Sequence, residues 1–160
     1  MFAGLLLSGT NDVSLDLKGR MAIPARYKDV IKDESDSQLI VTRSLFDKCL
    51  WIYPTSEWEN VVESLGALPT ITDPLCRTIQ RSVLGSAVFC SLDAQGRILI
   101  PQELRTEASL EKKAFLIGFN NKFELWSEEN FKAQREIDNN LLMDACKSME
   151  SHSLLANLKL

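Results

Sequence analysis

Two short segments of the chain repeat one pattern of charged and turn-forming residues. Residues 16–24 read DLKGRMAIP and residues 93–101 read DAQGRILIP, so Asp, Gly, Arg, Ile and Pro recur at an offset of 77. In each segment the glycine can adopt a positive φ and the aspartate can accept hydrogen bonds from the amides that follow, which predicts a tight turn. The arginine of that turn has a planar guanidinium that can bind a phosphate or a guanine edge through two hydrogen bonds.

The repeated turn allows two roles for its charged residues. In a structural role, Asp16 or Asp93 closes the turn and the arginine pairs with a nearby carboxylate. In a binding role, Arg20 contacts phosphate with Lys18 beside it, and Arg97 occupies the matching position of the second copy. The repetition of the motif favours the binding role.

The sequence gives little support for a catalytic site. His152 is the single histidine, so a serine or cysteine triad is not indicated, and no Walker or GxGxxG pattern occurs. Asp16 and Asp93 could form a symmetric carboxylate pair, one from each copy. Leu17 and Ala94 follow them, however, where aspartic proteases place a small hydroxyl residue and a glycine. We therefore expect a protein that is not an enzyme, with a hydrolase kept as a rival.

The four cysteines do not form a metal-binding pattern. No CxxC pair is present, whereas a structural zinc site needs four ligands that are usually grouped in close pairs. Isolated cysteines are typical of reduced core residues in a cytosolic protein, so neither a metal nor another cofactor is expected. These cysteines are Cys49, Cys76, Cys90 and Cys146.

Composition limits the class of protein. With 160 residues, 45% of them hydrophobic and 25% charged, the chain has the size and balance of one globular domain. Its 18 basic and 22 acidic side chains give a net charge of −4, which argues against a polybasic binder but leaves room for a local basic patch. The longest uncharged runs are 11 residues, about half of what a membrane helix needs. We expect a soluble intracellular protein without a membrane partner.

The repeat extends beyond the turn motif. Each copy predicts a strand, the turn, a strand, a short helix, two further strands and a helix. In the first copy these strands lie at residues 13–15, 21–23, 39–42 and 50–53, and the helices at 25–32 and from Pro54. In the second copy the strands lie at residues 88–92, 98–100, 114–117 and 123–126, and the helices at 102–108 and from Ser127. The offset falls to 73 along the copies, so the first copy has four extra residues, expected within 33–38 or around 46–48.

The segment between the copies predicts further helical features. Asp73 and Pro74 are typical of an N-cap and the first position of a helix. Ser56 and Glu59 have the spacing of a capping box at the start of the preceding helix.

Neither copy is expected to fold alone. A two-stranded hairpin is marginal in water, and about 45 residues seldom form a sufficient core. The two copies are therefore predicted to interlock around one shared core. Six aromatic residues at matching positions are expected in this core rather than on a base-stacking platform: Trp51, Tyr53, Trp58, Phe123, Trp126 and Phe131.

The paired motifs resemble the MraZ family of bacterial transcriptional regulators. The resemblance rests on the doubled Asp-x-x-Gly-Arg-x-x-x-Pro pattern and runs from Met1 to about Phe131. The other matching segments are Leu84-Gly85-Ser86-Ala87, Tyr53-Pro54-x-x-x-Trp58 and Asn121-Lys122-Phe123-Glu124-Leu125-Trp126.

This resemblance implies an α+β fold that is mainly β, a double swapped-hairpin barrel of the AbrB type built from the two repeats, with connecting helices. The implied domains are a first AbrB-like half-domain at residues 10–56, a helical connector at 57–86, a second half-domain at 87–130, and a C-terminal helix and tail at 131–160.

The resemblance also implies a function. Family members bind double-stranded DNA at direct repeats upstream of the division and cell-wall gene cluster that includes their own gene, mostly as repressors. They assemble into rings, act in the cytoplasm at the nucleoid, and use no small-molecule substrate.

DNA contact in the family centres on the first turn, which carries over to Lys18 and Arg20, with Asp16 and Gly19 shaping the turn. Arg97 is the matching DNA-binding candidate of the second turn, which Asp93 and Gly96 shape. Gln95 stands there in place of a basic residue.

The chain departs from the family pattern at both ends. Extra residues lie within 5–12, ahead of the first motif, and Ala3 stands where members often have a basic residue. The tail beyond Asn139 matches weakly. The same half-domain also occurs in antitoxins, so the alternative is an AbrB/MazE-type partner-binding module that docks through residues 141–160.

Overall fold

The computed structural model describes residues 7–145, 152–155 and 157–159. The strands are β1 (Thr10–Ser14), β2 (Arg20–Ala22), β3 (Gln38–Arg43), β4 (Leu50–Pro54), β5 (Val88–Ser91), β6 (Arg97–Leu99), β7 (Lys113–Phe119) and β8 (Lys122–Ser127). The helices are α1 (Ala25–Ser35), α2 (Thr55–Gly66), α3 (Pro74–Gly85), α4 (Gln102–Glu107) and α5 (Glu128–Ala145). Each strand and helix that the sequence predicts is present, with ends that differ by a few residues.

The chain divides into two compact units, Met1–Glu128 and Glu129–Leu160. The first unit holds both sheets and helices α1 to α4. The second consists mainly of α5, which has no buried residue.

Strands from the two copies pair with each other in both sheets of the first unit. The larger sheet is antiparallel with the order β1-β7-β8-β4-β3-β5, and the smaller sheet pairs β2 with β6. Thus β1 of the first copy lies against β7 of the second, and β5 of the second lies against β3 of the first. The first unit is therefore a mixed α+β fold in which two copies share their sheets, the interlocked arrangement that the repeat favours.

The larger sheet does not close on itself. Among the described strands, β1 and β5 are its edges, and β2 and β6 pair only with each other. A single antiparallel bridge between Leu15 and Met21 links β1 to β2. The expected barrel is thus not formed as a continuous ladder of backbone hydrogen bonds.

One hydrophobic core lies between the two sheets and holds the β2–β6 pair in place. Met21 and Ile98 face each other across this pair, and both are fully buried. Burying such a side chain stabilises the fold by about 1.5–3 kcal/mol. The other fully buried members come from both copies: Ile23, Ile31, Leu39, Leu50, Ile52, Ile100, Leu116, Phe123 and Leu125.

A second cluster packs α2 and α3 on the other face of β3 and β4. Its buried members are Ile40, Tyr53, Trp58 and Val83, and burial raises the pKa of Tyr53 to about 12. The expectation that the aromatic residues are core residues is confirmed for four of the six, namely Tyr53, Trp58, Phe123 and Trp126. Trp51 and Phe131 are half-buried.

The two helix-start predictions have different outcomes. Asp73 caps α3, because its Oδ1 accepts hydrogen bonds from the amides of Leu75 at 2.8 Å and Cys76 at 3.3 Å. The capping box at Ser56 is wrong. The N-cap of helix α2 is Pro54, two residues earlier, and the Thr55 amide donates to Oγ of Ser35, at 2.7 Å.

The four extra residues of the first copy are divided between two places. Leu39 pairs with Pro54 and Ala114 pairs with Ser127, so the β3–β4 hairpin is two residues longer than the β7–β8 hairpin. The other two lie between Pro24 and Leu39, in the segment that contains α1. The predicted position around residues 46–48 is therefore confirmed for two of them, and the segment that holds the other two includes the predicted region 33–38.

Candidate nucleic-acid interface

The first turn is closed by Asp16. Its Oδ1 accepts hydrogen bonds from the amides of Lys18 at 3.0 Å and Arg20 at 2.9 Å, and its Oδ2 accepts from Nε of Arg20 at 2.6 Å. Gly19 has a φ of +88°, and its amide donates to the Asp16 carbonyl at 3.0 Å. The turn thus holds its arginine beside its own carboxylate. We call residues 16–20 loop 1.

The second turn repeats these bonds one by one. Oδ1 of Asp93 accepts from the amides of Gln95 and Arg97, both at 2.9 Å, and Oδ2 accepts from Nε of Arg97 at 2.9 Å. Gly96 has a φ of +73°, and its amide donates to the Asp93 carbonyl at 2.9 Å. We call residues 93–97 loop 2. The two loops therefore have the same backbone and the same internal ion pair.

The β2–β6 pair brings the loops together. The Ile23 amide donates to the Gly96 carbonyl at 3.0 Å, and the Ile100 amide donates to the Gly19 carbonyl at 2.9 Å. In addition, Nη1 of Arg97 lies 4.0 Å from Oδ2 of Asp16. Each loop is thus anchored on a strand of the other copy, and the two arginines belong to one surface.

We call this β2–β6 pair, with its two loops, the ribbon. Residues directly opposite in an antiparallel pair point to the same side. Arg20 lies opposite Leu99, and Ala22 lies opposite Arg97, so these four share the face turned away from the core. Leu99 is 54% exposed, Ala22 is exposed, and both arginines are half-buried. The ribbon therefore presents two arginines on a narrow, exposed face.

The side chains of the two arginines make different numbers of hydrogen bonds within the protein. Within the described residues, the side chain of Arg20 bonds only to Asp16, through Nε. Arg97 donates through Nε to Asp93 and through Nη2 to Oε1 of Gln95 at 3.0 Å. Gln95 stands where loop 1 has Lys18. The terminal nitrogens of Arg20 are thus available to an external acceptor, whereas Arg97 is held by its own loop.

Both loop carboxylates favour the charged form. The hydrogen bond from the Arg20 amide, followed by the contacts with the Arg20 side chain and the Lys18 amide, lowers the pKa of Asp16. The Arg97 amide lowers the pKa of Asp93 in the same way. A catalytic carboxylate dyad shares a proton and needs one raised pKa. The arrangement therefore does not favour the hydrolase alternative.

Two basic residues that the motif analysis missed lie against the loop glycines. A Cβ placed on Gly19 would lie 2.6 Å from Nε of Arg105, which comes from α4 of the second copy. A Cβ placed on Gly96 would lie 2.7 Å from Cε of Lys28, which comes from α1 of the first copy. Lys28 and Arg105 are separated by 77 residues, the offset of the motif itself. Extending the motif comparison into the following helices would have found them.

The described cysteines are free and mostly buried. Cys49 and Cys90 are buried and Cys76 is half-buried, whereas Cys146 lies outside the described residues. Burial raises the pKa of Cys90 to about 11 and that of Cys49 further. In the described part of the chain, no group of three His, Cys, Asp or Glu side chains could hold a metal ion. None of the helices found there has the length and apolar character needed to cross a membrane.

Comparison with known proteins places the chain in a family. The family model "MraZ protein, putative antitoxin-like" matches twice, over residues 6–81 and 83–149, and each match contains one loop. A relative from Hydrogenovibrio crunogenus is 44% identical over 152 residues, which cover 94% of this chain and 99% of the relative.

Two other relatives are similarly close. One from Shewanella frigidimarina is 43% identical over 155 residues, covering 97% of this chain and all of the relative. One from Pseudomonas putida is 45% identical over 133 residues, covering 83% of this chain and 87% of the relative. All three relatives bear the name "Transcriptional regulator MraZ". With two matched segments that cover most of its length, and with relatives at this level of identity, the chain belongs to the MraZ family.

Proposed function

We propose that the chain is a sequence-specific DNA-binding transcription regulator that uses loop 1 as its principal contact. The observation that carries this proposal is the exposed ribbon, on which Arg20 keeps its terminal nitrogens available and Lys18 is exposed beside it. The name shared by the relatives, transcriptional regulator, supports the same function. It also favours a regulator over an enzyme.

A two-stranded ribbon is an element that a DNA groove can accommodate. The major groove of B-DNA admits a two-stranded β-ribbon, and an arginine there can bind the O6 and N7 of guanine through two hydrogen bonds. Arg20 is proposed to read a base edge in this way. Lys18 would then contact a phosphate, which fixes the register of the protein on the duplex. Arg97 is proposed as a weaker contact because Asp93 and Gln95 already hold it.

The two interlocked copies would serve as one DNA-binding unit. We propose that they form a double swapped-hairpin fold of the AbrB type, a barrel made of two sheets without a continuous ladder between them, with half-domains at residues 10–56 and 87–130. Residues 57–86 would connect them, and residues 131–160 would form a C-terminal helix and tail.

Assembly would supply the affinity that one ribbon lacks. Several copies in a ring would place their loops along direct repeats, and simultaneous binding would raise the overall affinity. The spacing of the repeats would match the step between neighbouring subunits. A net charge of −4 per chain would limit indiscriminate attraction to DNA. By occluding the promoter of the division and cell-wall cluster, which includes its own gene, the ring would act as a repressor in the cytoplasm at the nucleoid.

A gel shift with the duplex DNA immediately upstream of the gene tests this function. The purified full chain is titrated across a salt series beside Arg20→Ala and, as a control, Arg81→Ala, an exposed arginine on α3. Arg20→Ala is expected to weaken specific binding roughly hundredfold and to reduce the log–log salt slope by about 0.9 per bound subunit. Arg81→Ala should bind like the wild type. Equal binding by the wild type and Arg20→Ala would contradict the proposal.

An antitoxin-like role is the second candidate, because the matching family model carries that description. In that role the protein would bind a toxin encoded by a neighbouring gene through its C-terminal segment. Co-purification of the neighbouring gene product with the full chain, and its loss when residues 141–160 are removed, would favour this alternative.

A further inference from the structure

We propose that Arg105, contributed by the other copy, is part of the DNA-binding site of loop 1, where it braces the loop and contacts a backbone phosphate. This inference rests on the proposed function. It adds to the site a residue that lies outside the repeated turn motif, and it makes loop 1 a site built from both copies.

The bracing role follows from the bonds around Gly19. Nε of Arg105 donates to the Ile100 carbonyl at 2.9 Å, and the Ile100 amide donates to the Gly19 carbonyl at 2.9 Å. The guanidinium of Arg105 covers Gly19 so closely that a Cβ there would lie 2.6 Å from Nε and Cζ. Arg105 and Ile100 thus hold loop 1 from two sides. Glycine is required at position 19 both by the φ of +88° and by this contact.

The binding role follows from the atoms that the bracing leaves unused. Within the described residues, the only hydrogen bond of the Arg105 side chain is that of Nε. Its terminal nitrogens are not among the buried polar atoms without a partner, so they reach solvent. A fixed guanidinium with free terminal nitrogens can bind a phosphate with little loss of side-chain entropy.

Arg105 lies in a shallow cleft together with a second cationic side chain, Lys112. The cleft has a volume of about 560 Å³ and lies beside loop 1. Its charged lining residues are Asp16, Arg105, Glu111 and Lys112. These four charges sum to zero, but Arg20, which lies outside the lining, pairs with Asp16 and leaves the other three with one net positive charge. A phosphodiester that reaches Lys18 and Arg20 would therefore meet a second cationic wall here.

Lys28 offers a matched control. It occupies the equivalent position of the first copy and covers Gly96 of loop 2, but with the flexible end of its side chain. Loop 2 has Gln95 where loop 1 has Lys18, and Gln95 accepts a hydrogen bond from Arg97. Removal of the positive charge at Lys28 is therefore expected to affect DNA binding less than removal at Arg105.

The test measures binding of the full chain to the duplex upstream of its gene by fluorescence anisotropy from 50 to 300 mM salt. Arg105→Gln is expected to weaken binding roughly tenfold and to lower the log–log salt slope by about 0.9 per bound subunit. Arg105→Lys should keep the slope, and Lys28→Gln should change affinity by less than about threefold. Circular dichroism checks that each variant remains folded.

The outcomes separate this inference from the proposed function. If the wild type binds the duplex and Arg105→Gln keeps the wild-type salt slope, the phosphate contact is overturned. This holds even if the affinity of Arg105→Gln falls because loop 1 is loosened. Unchanged affinity would overturn both roles of Arg105 and leave loop 1 as the site. Absence of specific binding by the wild type would overturn the proposed function and this inference with it.

Discussion

Loop 1 and loop 2 have the same backbone but different surroundings. Each closes an Asp-x-x-Gly-Arg turn with the same five hydrogen bonds between aspartate and the turn. In loop 1 the tip is Leu17-Lys18, whereas in loop 2 it is Ala94-Gln95. The lysine is exposed, but the glutamine is bonded to its own arginine.

This difference indicates how a duplicated unit can divide its work. The shared turn and ribbon are needed to build the fold, since each loop is anchored on a strand of the other copy. The tip residues differ between the loops, and so do the covering side chains, Arg105 over loop 1 and Lys28 over loop 2. We therefore propose that loop 1 recognises DNA and that loop 2 mainly supports the fold.

The largest expected difference concerns the arginines. Arg20→Ala should weaken specific DNA binding roughly hundredfold, because the proposed base contact would be lost in every subunit of the proposed assembly. Arg97→Ala should weaken it less than about tenfold, since that guanidinium is already held by Asp93 and Gln95. Anisotropy titrations of both variants on one duplex give the comparison. If Arg97→Ala were the weaker binder, the division between the loops would be reversed.

The loop glycines should differ in their effect on stability. Gly19→Ala and Gly96→Ala both place a Cβ at a positive φ, which costs about 1–3 kcal/mol. Gly19→Ala should be the more destabilising, because Arg105 is bonded to Ile100 and cannot move away as easily as the end of Lys28.

Thermal or urea unfolding measures both variants. Gly66→Ala, with nothing within 4 Å of its Cβ position, is the control, and its expected change is within about 1 kcal/mol in either direction. Equal destabilisation at positions 19 and 96 would argue against a fixed Arg105.

Exchanging the tip residues should make the contributions of the two loops to DNA binding more alike. Gln95→Lys removes the acceptor that holds Arg97 and adds a positive charge, so it is expected to strengthen DNA binding several-fold and steepen its salt dependence. Lys18→Gln should have the opposite effect. Titrations at two salt concentrations show both changes. A weaker Gln95→Lys variant would show that Gln95 contributes to binding directly.

The smallest expected effect is the pH dependence of the two ion pairs. The pKa values of Asp16 and Asp93 are lowered in the folded chain, so each carboxylate stabilises the fold above its unfolded pKa, and this contribution is lost as the pH falls through the folded value. At pH 7, Asp16→Asn and Asp93→Asn should therefore have a smaller free energy of unfolding than the wild type. This gap in the free energy of unfolding should be narrower at pH 3. Since Asp16 also lies near Arg97, the gap should be larger for Asp16→Asn. A gap that widens towards pH 3 would contradict this assignment.

Much of the fold could be predicted from the sequence because the repeat constrains it twice. The alternation of apolar residues and the Gly and Pro positions predict the strands and turns, and Asp73 predicts the start of α3. The capping box failed because a distant side chain, Ser35, caps α2 instead. The open edges of the larger sheet could not be predicted from the sequence, because pairing between distant strands is not encoded in local patterns.

The candidate site was predictable only in part. Sequence pattern identifies the loop residues, since they recur with their turn chemistry. Arg105 and Lys28 recur at the 77-residue offset of the repeat, but they lie outside the turn motif, and their contacts with the loops depend on the interlocking of the copies. Likewise, the different occupancy of Arg20 and Arg97 depends on the bond between Arg97 and Gln95, which follows from side-chain geometry.

Photo-crosslinking from the two loop tips tests the central claim most directly. Leu17 and Ala94 occupy equivalent, exposed positions, so each can be replaced by p-benzoylphenylalanine in the full chain without disturbing the turn bonds. With the radiolabelled duplex from upstream of the gene, the account predicts strong crosslinking from position 17 and little from position 94. Equal crosslinking from both positions, or stronger crosslinking from position 94, would contradict it.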